Sequence, residues 1–410
     1  MTGYSVDRLG WSDLKLAEIE LPGGTMTILS GFGSGLSRRA GDPPGIVWAV
    51  GDRGPNLKPK TLAERYGVEI EGPRSAKVMP RPDIGPAIAR LRVGEEGVEL
   101  LESFPIRKPD GTPATGLPPA AGGHAQCEPA LDLAGNALEP DPSGLDSEGI
   151  AAVSDGSFWV SDEYGPSLVL LDAGGRMLRR LVPQGLDLGA GAEPMLPAIA
   201  AARQLNRGFE AIALSADEAA LFVAFQSPLA HPDLAAHEQA RHVRIWRVDT
   251  ASGTVTAQFL YPLDPPESFR RDHAKGPFAR SDVKLSEMCL LGTDDLLVLE
   301  RGSETSKIYH TRLSSHLTLP PEHLDAATRP TVEELSAGNM PLPLLAKQLL
   351  FSSDDARQVA ADLEGMAMLS PTELILVSDN DFGVEGAETS FWRIRFDEAL
   401  PGCNQGGGGT

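Results

Sequence analysis

One short unit recurs along this chain and constrains its fold more than any other feature. Residues 145–183 read LDSEGIAAVSDGSFWVSDEYGPSLVLLDAGGRMLRRLVP, four short apolar and β-branched runs separated by SDG, EYGP and GG. Gly, Pro, Asp and Asn supply the backbone angles of tight turns, so the stretch predicts four antiparallel strands in one small sheet. Its first half returns as FEAIALSADEAALFVAFQSPL (209–229), LSEMCLLGTDDLLVLERG (285–302) and LEGMAMLSPTELILVSDNDFG (363–383). A looser copy, GSGLSRRAGDPPGIVWAVGDRGPN, stands at 33–56. Repeated units of this kind bury their faces only against one another. The pattern predicts an all-β β-propeller.

Five inner hairpins are readable. A sixth blade is expected, hidden in residues 60–130 or closed by strands from both termini, so six blades are predicted. The copies are unevenly spaced. Surplus chain falls at about 105–145, 186–206, 228–242, 264–282 and 315–345, read as loops and short helices on one rim. Residues 1–400 are expected to form one domain, with 401–410 as a flexible tail. A β-sandwich is the competing architecture and accounts less well for the recurrence.

The formal charge is −21. Such a field repels nucleic acid and anionic membrane surfaces and attracts cations. No apolar run reaches membrane-spanning length. Cys127, Cys289 and Cys403 lack any CxxC spacing, which argues against a zinc or disulfide framework. The first residues lack a basic segment followed by an apolar one, so a soluble chain is expected, cytoplasmic as it stands. A monomer is expected.

Within one copy, Glu148 begins the first strand and Asp162 ends the second. Antiparallel neighbours bring those two ends together. Repetition then predicts a ring of Glu148, Glu210, Glu287 and Glu364 at the channel mouth, with Asp52, Asp162, Glu300 and Asp379 beside it. The third copy has Phe225 and Gln226 at the second set. Two unit charges ~4 Å apart repel by about 4 kcal/mol at an effective dielectric of ~20. A hard cation among them relieves this, and Ca²⁺ accepts six to eight oxygens in flexible geometry. One or two Ca²⁺ ions are expected, on Asp52, Glu148, Asp162, Glu210, Glu287, Glu364 and Asp379, with Mg²⁺ the second choice. Alternatively, each Glu bonds backbone N–H groups of the next blade.

Arg53 and Arg301 adjoin these acids and are expected to clamp an anionic part of the substrate. Arg207, Lys58, Lys60 and Lys307 lie near them in sequence. Glu163 or His124 is expected to move a proton. No GxSxG elbow, P-loop or HExxH motif is present.

The four stretches DSEGIAAVSDGSFWVSDEYGPS, NRGFEAIALSADEAALFVAFQSPL, LLVLERG and LEGMAML…LILVSDNDFG resemble the phytase-like, or "esterase-like activity of phytase", family, in matching order from about Gly31 to Phe396. The resemblance implies a β-propeller hydrolase of phosphate esters or carboxyl esters, often exported. The partner expected is a small anionic or ester substrate, with no nucleic acid and no membrane. A metal-dependent hydrolase is thus the favoured reading. A non-catalytic propeller with structural calcium is the alternative.

Overall fold

The computed structural model describes residues 3–73, 75–120, 128–189, 191–338 and 341–403. His124, Cys127 and residues 404–410 of the expected tail lie outside these described residues.

Twisted antiparallel sheets close into a ring of five blades. Blade 1 is Gly35–Ser37, Ile46–Val50, Ala87–Val93 and Val98–Pro105. Blade 2 is Ser147–Ala152, Phe158–Asp162, Ser167–Leu171 and Met177–Pro183, extended by the parallel strand Ala192–Leu196. Blade 3 is Phe209–Leu214, Ala220–Phe225, His242–Asp249 and Val255–Pro262. Blade 4 is Lys284–Leu290, Asp295–Arg301, Ser306–Arg312 and Lys347–Ser352. Blade 5 is Leu363–Ser370, Glu373–Ser378, Phe391–Phe396 and, from the other end of the chain, Tyr4–Leu9.

The all-β propeller is as expected; among the described residues there is no sixth blade. The insertion between Val50 and Ala87 splits blade 1, so strands 87–93 and 98–105 are its outer half. The termini meet within blade 5, where Tyr4 pairs with Phe396 and Leu9 with Phe391. This covers a strand edge that would otherwise stay open. The surplus chain also divides. Four stretches leave and re-enter at the end where inner strands begin. Residues 313–346 instead start at the opposite end of blade 4 and climb the outer edge of blade 3. Leu319 N–H and Leu345 N–H donate to the carbonyls of Gln258 and Leu260 on that edge. The Arg244–Glu333 pair, at 2.8 Å, fixes the climb at its top.

Blades pack through apolar faces, for instance Trp48 of blade 1 against Phe158 of blade 2 and Tyr4 of blade 5 against Phe351 of blade 4, with ring centroids 4.9 and 5.3 Å apart. Inner strands crowd the axis. A Cβ added at Gly149 would lie 2.6 Å from the Glu210 carbonyl oxygen, so blade 2 needs glycine at this register position. Ala211 and Gly365 occupy it in blades 3 and 5.

Register shifts interrupt the inner hairpins between Ser147 and Gly149, Phe209 and Ile212, Leu285 and Glu287, and Leu363 and Gly365. Each is a bulge that re-aims a side chain. Glu148, Glu364 and Ser286 are the extra residues in blades 2, 5 and 4, with Glu210 in the corresponding bulge of blade 3. Glu287 therefore stands one residue past the ring position, in the slot of Gly149 and Gly365. Its carboxyl crosses the channel, accepting from the backbone N–H of Leu36 at 3.0 Å and from its neighbour Met288 at 3.0 Å. This corrects its expected role as a metal ligand; it ties blade 4 to blade 1. Glu287→Ala is expected to lower stability by about 1–3 kcal/mol, the penalty for a buried N–H left without an acceptor. Glu287→Gln, which keeps an acceptor oxygen, should stay within about 1 kcal/mol of wild type by denaturant melting.

Candidate functional site at the channel mouth

Side chains on successive residues of a strand point to opposite faces. At the ends of the second strands this rule separates two groups of acids. Asp162 pairs in register with Ser147, and Glu300 with Leu285. Both point into their blades. The Asp162 carboxylate accepts from the N–H groups of Asp146 and Tyr164 and from Ser167, and pairs with Arg180 at 2.8 Å. Lys347 and the N–H of Asp264 occupy Glu300. All the oxygens of Asp162 are thus committed, which corrects its expected place among the metal ligands.

One residue further on, side chains turn to the mouth: Glu163, Gln226, Arg301 and Asp379, with Asp52 at the matching point of blade 1. Two residues before the bulge, blades 2, 4 and 5 place Asp146, Lys284 and Asp362. Asp146 was not among the expected ligands. The signal for it was its spacing, two residues before Glu148, the same as Asp362 before Glu364.

Asp146, Glu148 and Glu163 offer carboxylate oxygens all within 4.8 Å of one another, and all three are buried. Glu163 accepts from the Gly208 N–H through Oε1 at 3.0 Å. Its Oε2 is buried without a hydrogen-bond partner among the described residues, with the Arg53 guanidinium 4.0 Å away. The same holds for Glu210 Oε2. Burial pushes the Glu148 carboxyl well above the usual range, and Asp146, Glu210, Glu163 and Glu364 add to the rise. Burial likewise raises Glu210, reinforced by Glu163 and Glu364. On the blade 1 and 5 side, Asp52 and Asp379 are raised in the same way, chiefly by burial and then by Asp146 and Asp381 respectively.

The expected substrate-clamping arginines are held by protein carboxylates instead. Arg53 pairs with Asp146 and Glu128, each at 2.6 Å, and also donates to Asn206. Arg301 pairs with Asp362 at 2.6 Å and with Glu364. Both are almost fully buried. Their charges are spent on holding acids in place, which leaves little for a ligand. Of the other basic residues noted, Lys307 pairs with Asp264 at 2.7 Å, away from the mouth.

The loops are held in costly backbone conformations here. Asn206, Asp362, Asp381 and Phe382 have φ of 56°, 52°, 46° and 53°, a region that non-glycine residues other than Asn and Asp rarely adopt and that is costly for Phe382 above all. Such outliers persist where surrounding contacts over-determine them, and they concentrate at binding sites. Three of the four present a polar side chain to this mouth.

A hard cation that prefers oxygen ligands fits this donor set: three convergent carboxylates, a buried oxygen with no hydrogen bond among the described residues, and no Cys or His among them. Residues 27–382 match the family described as phytase-like, esterase-like activity of phytase. The chain belongs to that family. A curated relative of this phytase-like protein, an "uncharacterized secreted protein" of Arthroderma benhamiae, is 28% identical over 324 residues. That match takes in 68% of this chain and 60% of the relative, so it spans less than two thirds of the fungal protein. Among solved structures, a gluconolactonase from Xanthomonas campestris aligns over 97% of this chain and 98% of its own, at 10% identity and a TM-score of 0.34. A protein of unknown function from Dyadobacter fermentans aligns over 95% and 99%, at 10% identity and a TM-score of 0.35. No helix among the described residues is long and apolar enough to cross a membrane.

Proposed function

We propose that this phytase-like protein is a cation-dependent hydrolase of phosphate esters or of carboxyl esters, lactones included, acting at the channel mouth. The observation that carries this reading is the convergence of Asp146, Glu148 and Glu163 within 4.8 Å, with a buried Glu163 oxygen that accepts no hydrogen bond among the described residues. Those three would hold Ca²⁺. A cation bound there supplies polarisation of the ester oxygen and a water of lowered pKa.

The chain's own residues do the rest. Arg53 fixes Asp146 and stands beside Glu163, which keeps the donor set in place. Glu210, in the neighbouring bulge and with a free Oε2, takes a proton from the attacking water as its oxygen bonds to phosphorus or carbonyl carbon. The bond to the leaving alcohol oxygen then breaks, and Glu210 returns the proton to it. The products are one acid and one alcohol, and Glu210 is restored. Glu163, expected to move this proton, stands among the ligands instead.

The net charge of −21 favours a small substrate over nucleic acid or membrane. The secreted relative supports export, into surroundings where calcium is plentiful. The deciding experiment combines elemental analysis of the purified protein with hydrolysis assays. p-Nitrophenyl phosphate, its bis-diester, short acyl esters, lactones and phytate would be offered with chelator and with added Ca²⁺. Chelator-sensitive turnover of at least one is expected. Silence in every calcium-replete assay would instead favour a binding protein with structural calcium.

A further inference from the structure

Opposite the carboxylate set, blades 3 and 4 turn three cations toward the same mouth. Arg301 is matched by Glu364 and Asp362. Arg207 and Lys284 are not matched. Arg207 donates to the neutral amide of Gln226 and makes no ion pair among the described residues. Glu163 and Glu210 act on it electrostatically without reaching ion-pair contact. Lys284 sits in the register slot that blades 2 and 5 give to Asp146 and Asp362. No hydrogen bond or ion pair holds its ammonium among the described residues. Both residues are half-buried.

The surroundings of both disfavour their charge. Burial, then Arg301 and Arg207, pull the Lys284 amine down to about 8, against the opposing pull of Glu364 and Asp362. Burial also lowers Arg207, with Arg301 adding to it. A chain with 57 acidic residues against 36 lysines and arginines has carboxylates in excess, yet among the described residues none makes an ion pair with these two cations. Two neighbouring half-buried cations with no acidic partner among the described residues are complementary to an anion that comes from outside.

We propose that Arg207 and Lys284 form an anion subsite that holds a phosphate or carboxylate group of the substrate beside the Asp146–Glu148–Glu163 set. The preferred esters then carry an anionic group, and neutral acyl esters are poor substrates. The turnover part of this rests on the hydrolase reading; the binding part stands without it.

Calorimetric titration of the calcium-loaded full chain with inorganic phosphate tests the subsite directly. Wild type is expected to bind. Arg207→Gln and Lys284→Gln should each weaken binding roughly tenfold, about 1.4 kcal/mol for a lost charge-assisted contact. Arg207→Lys and Lys284→Arg, which keep the charges, should retain most of it. Lys284→Met replaces Lys284→Gln if the latter does not fold. Absence of phosphate binding by wild type, or equal affinity in all the charge-removing variants, overturns the proposal. A turnover arm separates the two sources of the anion. Mono-p-nitrophenyl succinate carries its charge away from the scissile bond, p-nitrophenyl phosphate carries it on the transferred group, and p-nitrophenyl acetate carries none. The ratio of kcat/KM for the favoured anionic ester over the acetate should fall roughly tenfold in Arg207→Gln. An unchanged ratio removes the specificity claim. Phosphate binding lost in the variants while no ester is turned over by wild type would sink the hydrolase reading and keep the subsite.

Discussion

Glu148→Gln is expected to reduce kcat/KM for every ester the protein hydrolyses by at least about 10³-fold, with melting temperature in the absence of cation equal to or above wild type. The two effects have one cause. Glu148 is the bulged residue of blade 2, and its carboxylate is aimed at Asp146 and Glu163. Removing one of three anionic ligands takes away several kcal/mol of interaction with a bound cation, and each 1.36 kcal/mol is a factor of ten in rate. The same change removes a carboxyl that burial and four neighbouring acids hold well above its usual range. The amide resembles the neutral acid in shape, so the cation-free fold loses a repulsion and keeps its packing. Asp162→Ala is the contrasting control, fourteen residues away in sequence but turned into the blade. It breaks the buried pair with Arg180 and leaves that guanidinium uncompensated, which costs about 3–5 kcal/mol. Kinetic constants and calorimetric melts on the two variants separate them. Full activity in Glu148→Gln would remove it from the site.

That contrast also shows what a repeat can and cannot tell. All five inner hairpins are visible in the chain because each carries turn residues and a β-branched run, and both are local signals. Blade number is not local. The outer half of blade 1 lies 36 residues beyond its inner half, and Tyr4–Leu9 completes a blade at the other end of the chain. Neither pairing leaves a mark in the spacing of the copies. The site was legible to within one residue, which in a strand decides which face a side chain takes. Aligning the copies on their glutamates placed Glu287 with Glu148, although the bulge puts Ser286 there. Aligning the second strands on any acid mixed Asp52 and Asp379, which face the mouth, with Asp162 and Glu300, which do not. Glu163 was noted and Asp146 was missed, although its spacing before Glu148 recurs in Asp362 before Glu364, because the face a side chain takes beside a bulge is set by the backbone and not by residue type.

Without bound cation, the protein is expected to become more stable as pH is lowered from about 7.5 to 6.5, and added Ca²⁺ should reverse that trend. Asp52, Glu148, Glu210 and Asp379 are all pushed well above the ordinary carboxylate range, first by burial and then by one another. Glu364 is raised from 4.5 to about 7, burial outweighing its contact with Arg301. A carboxyl of this kind binds its proton more tightly folded than unfolded. Its contribution is fully present below the unfolded value, near 4, and is lost as pH rises through the folded one. Each tenfold difference in proton affinity corresponds to about 1.4 kcal/mol. Other groups work outside this range. Asp264, held far down by Lys307 and Lys347 against its burial, withdraws stability only in acid below about 4. His242, lowered to about 4 by burial and then Arg241, opposes the trend only below about 6.5, where the unfolded imidazole takes up its proton. Lys284, lowered to about 8, acts above that pH. Cation binding requires the ionised carboxylates, so calcium affinity should increase with pH across the same interval. At a free concentration about 100-fold above Kd, calcium adds about 2.7 kcal/mol, worth roughly 3 °C of melting temperature near pH 7.5 in a chain of this length. The gain should shrink at pH 6.5 and largely disappear in Glu148→Gln at either pH. Scanning calorimetry at the two pH values, with chelator and with Ca²⁺, measures all of this. A cation-free melting temperature that climbs with pH over that interval, or a calcium gain indifferent to pH, would show that these carboxyls do not share one crowded pocket.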